Sequence, residues 1–495
     1  MSLPRPITFL TKRLVVLVLI SFILATIIIT LMGPEPSRLL LDKPPSAKPE
    51  TVFANDPSYL SPSKNFSNPA VDRLLDLFEF SDEVPLKESD IYGLSKRCRL
   101  FRDLSNVIYD ARGNLHPDAV FRAGGKEKVK KVEEALGKME AFLFPFFQKD
   151  NPIQSLNSLL KSYNNERGIV LSTGNFHYRY ALHLIQTIRL VFNSHLPIEI
   201  FYYGDKDLSA DKIKELEKVS RVRVIDLSKL VNSVGIGGWS MKSFMILFSS
   251  FSEVIFMDAD ALFLQDPEVV FRQKGYIETG TLLFRDRTMK MDAESGKHAN
   301  YVRSIIREPS EYALQGRIFR KLSVHEGESG VLVFDKARTF HVLLLLCKMN
   351  TDYFKKEFYD VFYGDKETFW VAFEAMRVPY FLNKAAGGAV GYRNPENGHI
   401  CGGLYHPDEN MKPLWFNGGI VPNKHYDGDA PMQLTHWATD TTWGNVIWDW
   451  ETSTSPFCMM PVDPEKEIGT IDGPFAATAS GLVKVWNENV KPRIA

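Results

Sequence analysis

Three pairs of aspartates in this chain are separated by a single residue: Asp205/Asp207, Asp258/Asp260 and Asp427/Asp429. Two carboxylates this close repel one another and raise each other's pKa unless a cation neutralises them. A divalent ion with oxygen ligands does that, and can hold a diphosphate as well. The bland alternative is that such acids cap turns and face water, and spacing alone does not choose. Context does more. Asp427/Asp429 stands in KHYDGDAP with no apolar run before it. Asp205/Asp207 ends one apolar run but leads at once into a helical stretch, where either acid can serve as a cap. Asp258/Asp260 emerges from the apolar run Val254 to Met257 and is followed by a second, Ala261 to Leu264. The flanks are expected to pack, leaving two side chains for chemistry.

Other chemistries find no support. VHEGES, Val324 to Ser329, begins like a zinc-protease helix but lacks the second histidine four residues on. GESG lacks the spacing of a nucleophile elbow, and no Gly-rich phosphate loop of the P-loop kind is present. A formal net charge of −1, with no basic tract, gives no footprint for nucleic acid. The four cysteines, Cys98, Cys347, Cys401 and Cys458, form no C-x-x-C motif and allow three complete pairings.

The elements that must position Asp258 and Asp260 alternate between strand and helix. GIVLSTG, PIEIFYYGD, RVRVIDL and EVIFMDADALFL are β-rich runs, separated by helical stretches that include Tyr180 to Phe192 and MKSFMILFSSF. This alternation predicts an α/β domain with a mostly parallel sheet and helices on both faces. Ligands of such sheets bind beyond the carboxyl ends of the strands, which favours Asp258/Asp260 over the other two pairs. Upstream, KVKKVEEALGKMEAFLF sets Val129, Val132, Leu136, Met139 and Leu143 on one helical face, so residues 71–165 are expected to form a helical subdomain.

The N-terminus adds a membrane. Leu14 to Met32 is an uncharged apolar run just long enough to span the hydrocarbon core. Insertion of its Leu, Ile, Val and Phe side chains is favoured by about 5–6 kcal/mol. Arg5, Lys12 and Arg13 precede it, so residues 1–13 are expected in the cytosol and the rest of the chain across the membrane. TLMGPEP is a poor cleavage site, which favours a retained anchor over a signal peptide. Residues 33–70 are Pro- and Ser-rich and read as a stem, with a glycosylation sequon at Asn65. Residues 166–450 then form the α/β domain and 451–495 a C-terminal extension.

Five stretches, in order, carry a resemblance: GIVLSTGNFHYRYALHL; WSMKSFMIL with VIFMDADALFLQDP; HEGESGVLVFDK; YGDKETFWVAFEAMRVPY; and CGGLYHPDENMKPLWFNGG. Together they resemble the fungal Golgi α-1,3-mannosyltransferase family and, more distantly, glycogenin-type retaining glycosyltransferases. The resemblance implies a GT-A fold, a Rossmann-like domain for a nucleotide sugar and Mn²⁺, with GDP-mannose as donor and a mannose-terminated glycan as acceptor. It implies Asp258 and Asp260 as metal ligands, with His436 or, less favoured, His406 as a third. It assigns Thr173, Gly174 and Tyr178 to the nucleotide, Lys242 to the donor phosphates, and Glu328, Ser329 and Gly330 to the donor sugar. Asp365 falls near the reacting carbon, but glycogenin-type enzymes tend to carry Gln after it where this chain has Lys366, so its role stays open and Glu367 is a second candidate. Trp415, Phe416 and Asn417 are candidates for an acceptor platform. An α-1,2 linkage, another nucleotide-sugar donor, or a non-catalytic glycan-binding subunit of the same fold are the competing readings.

Overall fold

The computed structural model describes residues 68–494, apart from 84–85, 87–89, 149–150, 152, 233–234, 291, 424–429 and 453–454. The anchor read at 14–32, most of the stem, and the Asp427/Asp429 pair lie outside the described residues. Among the described residues no helix is long and apolar enough to cross a membrane.

Seven strands open the α/β region: β1 Asn164–Ser172, β2 Ile198–Tyr202, β3 Val222–Asp226, β4 Phe251–Met257, β5 Ala261–Phe263, β6 Thr281–Arg285 and β7 Gly327–Asp335. Six of them make one sheet in the order β3-β2-β1-β4-β7-β6. β1 to β4 run parallel, whereas β7 lies antiparallel to both β4 and β6. The parallel half matches its sequence: every residue of β2 is buried, as is Ile169 to Leu171 of β1, the pattern of strands covered on both faces. The sheet is mostly parallel as expected: five strands run one way, and β7 alone is reversed between β4 and β6.

A second, antiparallel sheet was not expected. It comprises β8 Ala386–Arg393, β9 Ile400–Pro407, β10 Pro413–Asn417, β11 His436–Asp440, β12 Ile447–Thr452, β13 Ser455–Met460 and β14 Ile468–Thr470. Their main path is β12-β13-β9-β8-β11-β14, and β10 bridges β9 to β5, the short strand directly after Asp260. AAGGAVGYR and CGGLYHP have few β-branched residues, which hid these strands in the sequence. Glycine is needed there for close approach: a Cβ on Gly388 would lie 1.9 Å from the Ala438 carbonyl oxygen of β11. A disulfide between Cys401 and Cys458 ties β9 to β13, while Cys98 and Cys347 are buried free thiols. The stretch 451–495 contributes β13 and β14 to this sheet. Its helix Gly473–Val485 packs on helix Tyr178–Leu190, where His183 Nε2 meets the Leu482 carbonyl at 2.9 Å.

The upstream subdomain is helical as its periodicity implies, with helices Asn68–Glu83, Ile91–Ile108, Ala119–Ala123, Lys126–Leu143 and Leu156–Ser162. Val132, Leu136, Met139 and Leu143 are buried, and Val129 is half-buried. These side chains join one core with helices Met241–Phe248, Lys336–Met349 and Lys366–Met376. Arg99 and Arg102 of the second helix donate to the carbonyls of Ala375 and Met376, satisfying the orphan acceptors at the C-terminus of the helix that Asp365 heads.

Candidate active site

β4 ends at Met257, and its flanks behave as core: Val254 to Met257 and Ala261 to Leu264 are at most 1% exposed. The turn between them carries Asp258 and Asp260. The Asp258 N–H donates to the Gly330 carbonyl of β7 at 2.8 Å, and the Asp260 carbonyl accepts from Gly419 N–H at 2.8 Å. Backbone bonds to both sheets thus fix the position of this turn.

Lys242 reaches the turn from helix Met241–Phe248. Its side chain is buried. Its ammonium lies 2.8 Å from Asp258 Oδ1 and donates to Asp258 Oδ2 at 3.0 Å and to both Ser329 O and Ser329 Oγ at 3.1 Å. Asp365 Oδ2 stands 3.9 Å away. Burial works against the charge on Lys242, but Asp258, Asp365 and Glu328 outweigh it and hold its pKa above the usual lysine range. Asp258 is pushed up to about 7 by burial, with Asp260 and Asp365 adding to the rise against the pull of Lys242. One ammonium therefore bridges Asp258 and Asp365, and Asp260 and Glu328 stand beside them.

The remaining acids stand beside this centre. Ser329 Oγ donates to Asp365 Oδ1 at 3.2 Å, while the buried Asp365 Oδ2 makes no hydrogen bond. Burial, with Glu328 adding to it, raises the Asp365 carboxyl against the opposing effect of Lys242. Glu328 Oε1 accepts from Gly330 N–H at 2.9 Å, and Glu328 Oε2 lies 3.4 Å from Lys366. A Cβ on Gly330 would lie 2.9 Å from Asn417 Nδ2 and 3.0 Å from the Trp415 ring, so only glycine leaves both in place.

The lysine that departs from the glycogenin-type pattern has an explanation that sequence reasoning missed. Lys366 Nζ lies 2.7 Å from Asp286, a fully buried carboxylate just after β6. Burial works against the charge on Asp286, yet Lys366, Arg287 and His325 hold it well below the usual carboxylate range. An unusual lysine at 366 calls for a buried acid, but no spacing rule connects it to a residue 80 positions earlier. Glu367 does not share the role of Asp365: its carboxylate accepts from the N–H groups of Glu326, at 2.9 Å, and Gly327, at 3.1 Å.

Thr173, Gly174 and Tyr178 follow β1, the strand next to β4, so they too lie beyond carboxyl ends. Thr173 and Tyr178 are buried, and Asp207 lies so close that a Cβ on Gly174 would be 2.3 Å from its carboxylate. Asp207 also accepts from Tyr203 N–H at 2.9 Å, which makes this second acidic pair part of a turn.

The two histidines differ. His406 is 0% exposed, stacked on Trp415 at 4.2 Å and edge-on to Phe284, and burial lowers its pKa to about 4. His436 is half-buried at the start of β11, with Nδ1 3.0 Å from Thr435 Oγ1. Among the described residues no three His, Cys, Asp or Glu side chains are grouped to hold a metal. Trp415 and Phe416 are fully buried, so neither ring offers the acceptor platform suggested by its sequence.

Residues 166–408 match the family model described as "Mannosyltransferase putative". Among curated proteins, the alpha-1,3-mannosyltransferase MNT3 of Saccharomyces cerevisiae is 28% identical over 297 residues, covering 51% of this chain and 46% of that protein. The "Putative alpha-1,3-mannosyltransferase MNN14" of Candida albicans is 26% identical, over 54% of this chain and 44% of its own length. The alpha-1,3-mannosyltransferase MNN1 of Saccharomyces cerevisiae is 25% identical over 52% and 41%. The chain thus spans less than half the length of these relatives. A solved galactosyltransferase, LgtC with donor and acceptor sugar analogues, superposes loosely, with a TM-score of 0.28 at 11% identity over 44% of this chain and 73% of that one. The resemblance carried by the motifs holds in these relatives: residues 166–408, just under half of the chain, are similar to the mannosyltransferase family of glycosyltransferases.

Proposed function

We propose that the chain transfers mannose from GDP-mannose to a mannose-terminated glycan, forming an α-1,3 linkage with retention of configuration. The observation that carries this reading is the clustering of Asp258 and Asp365 on the Lys242 ammonium, with Asp260 beside Asp258, beyond the carboxyl end of β4. The clustered carboxylates, and an Asp258 carboxyl whose pKa is pushed up to about 7 by burial and by its acidic neighbours, fit a divalent cation such as Mn²⁺ on Asp258 and Asp260. Bound there, the ion would neutralise charge that develops on the departing diphosphate. Small divalent ions commonly take one or two carboxylates and complete their shell with phosphate and water, which suits a two-acid site. Among the described residues neither His436 nor His406 is grouped with the two aspartates, so diphosphate oxygens and water would complete the shell.

The chain's own residues have separable tasks in this proposal. Lys242 holds the Asp258 and Ser329 segments together and keeps a positive charge beside the donor site. Gly330 leaves room for Asn417 and Trp415 against β7, and Asp365 keeps a carboxylate oxygen without a hydrogen bond beside Lys242. Glu328 is braced by Gly330 N–H and Lys366, which keeps its carboxylate in place rather than free to rotate. We favour front-face attack, with the leaving phosphate taking the acceptor proton. Residues 14–32 would anchor the protein in the Golgi membrane with the catalytic domain in the lumen. A panel of GDP- and UDP-linked sugars, with NMR of the product linkage, tests the reading. Turnover of GDP-mannose to an α-1,3 product is expected; preference for a UDP sugar or an α-1,2 product would overturn the donor or the linkage.

A further inference from the structure

With Trp415 and Phe416 buried, the acceptor must be held by other surfaces, and the structure offers one. Trp239 and Tyr363 are large aromatic side chains left 49% and 64% exposed. Their rings lie 5.2 Å apart at an interplanar angle of 50°. Trp239 comes three residues before Lys242, in the 3-10 turn Gly238–Ser240 that leads into its helix. Tyr363 comes two residues before Asp365, in the turn that leads into helix Lys366–Met376. Two elements that converge on the acidic centre from different parts of the chain therefore each carry an exposed ring at the same rim.

The contact between them is built into the backbone. Gly364 has φ +74°, a left-handed conformation that favours glycine, and a Cβ there would lie 2.7 Å from the Trp239 ring. The indole thus rests directly on the turn that presents Asp365. On the other side, Lys366 Nζ sits 5.8 Å from the Tyr363 ring centroid while it also holds Asp286 and Glu328. An aromatic rim and a set of carboxylates and ammoniums are joined through shared residues.

We propose that Trp239 and Tyr363 form the platform for the terminal mannose residues of the acceptor glycan, a proposal that rests on the transferase reading above. A pyranose suits this surface. Its C–H bonds carry slight positive charge that meets the electron-rich face of an aromatic ring, while its hydroxyls reach the polar groups behind the rim. The two rings also supply rigid contact area with few rotatable bonds, which keeps the entropy of capture low.

The test is steady-state kinetics of the full-length protein with GDP-mannose and a short mannose oligosaccharide, comparing wild type with Trp239→Ala, Tyr363→Ala, Trp239→Phe and Gly364→Ala. Either alanine at a ring position should raise acceptor KM about tenfold or more, as loss of an aromatic anchor does, with donor KM within about twofold. Trp239→Phe should recover most of the loss, and Gly364→Ala should reproduce part of it by displacing the indole. Unchanged acceptor KM in Trp239→Ala and Tyr363→Ala would overturn the platform while leaving the transferase reading intact. A parallel rise in donor KM would also overturn it, by assigning the rings to the nucleotide sugar. Absence of any donor turnover by wild type would instead overturn the reading on which it rests. Both rings are exposed, so the variants are expected to fold, and matched melting curves verify this.

Discussion

The ammonium of Lys242 lies 2.8 Å from one carboxylate oxygen of Asp258, so the first acid of the Asp-x-Asp pair is half of a mostly enclosed ion pair. This relationship makes the site's stability and its chemistry depend on the same contact. The pair faces two further acids, Asp260 and Asp365, which raise the Asp258 carboxyl against the pull of Lys242.

Removing the lysine should therefore be worse than its single charge suggests. In Lys242→Met, Asp258 and Asp365 lose their shared counter-ion in a buried place, and Ser329 loses two hydrogen bonds. Breaking a buried pair from one side costs about 3–5 kcal/mol. We expect a clear drop in chemical-denaturation midpoint together with near-complete loss of transfer. Wild-type stability in this variant would contradict the pairing.

Lys366 gives a sharper case, because Lys366→Gln restores the residue found in the glycogenin-type pattern. In this chain it would strand Asp286, whose charge depends on Lys366 first and Arg287 second once burial is set against it. The sign follows from its depressed pKa: the contribution to stability is full above the usual carboxylate value and is lost as pH falls through the folded value. The variant should lose about 3 kcal/mol at pH 7 and lose acid sensitivity in that low-pH window. The double variant Lys366→Gln, Asp286→Asn should recover much of the loss, as a two-residue cycle would read.

Buried neutral histidines predict a separate pH response. Burial lowers His183 and His406 to about 4 each, whereas an unfolded histidine titrates near 6.5. Between those values the unfolded chain binds protons that the folded chain refuses, so stability falls as pH drops from about 6.5 toward 4. Each group contributes at most about 3 kcal/mol over the full window. Asp258, pushed up to about 7, acts in the opposite direction over the same window, so the histidine contribution is read as a difference: the melting temperature of His183→Gln relative to wild type should rise on acidification from pH 7.5 to 5. A difference that does not change with pH would contradict the burial of His183 as a neutral group.

What the sequence made legible was local. The apolar run Val254 to Met257 marked β4, and strand context singled out Asp258/Asp260 from two lookalike pairs. The 3.6-residue periodicity of Lys126–Leu143 marked a helix whose inward face is buried as read. What stayed hidden was non-local or glycine-rich. β8 and β9 lack the β-branched residues that announce strands, so the second sheet and its bridge from β10 to β5 went unseen. The Lys366–Asp286 pair joins residues with no pattern between them, and the burial of Trp415 follows from packing against Phe284 and His406 rather than from its neighbours in sequence.

The central claim is that Asp258 and Asp260 carry a divalent ion on which transfer depends. The most direct measurement is mannose transfer from GDP-mannose by the full-length protein, with Mn²⁺, with chelator, and in Asp260→Ala. The account predicts transfer with Mn²⁺, and a loss of about a thousandfold or more both in chelator and in the variant. Full activity in chelator, or in Asp260→Ala, would contradict it.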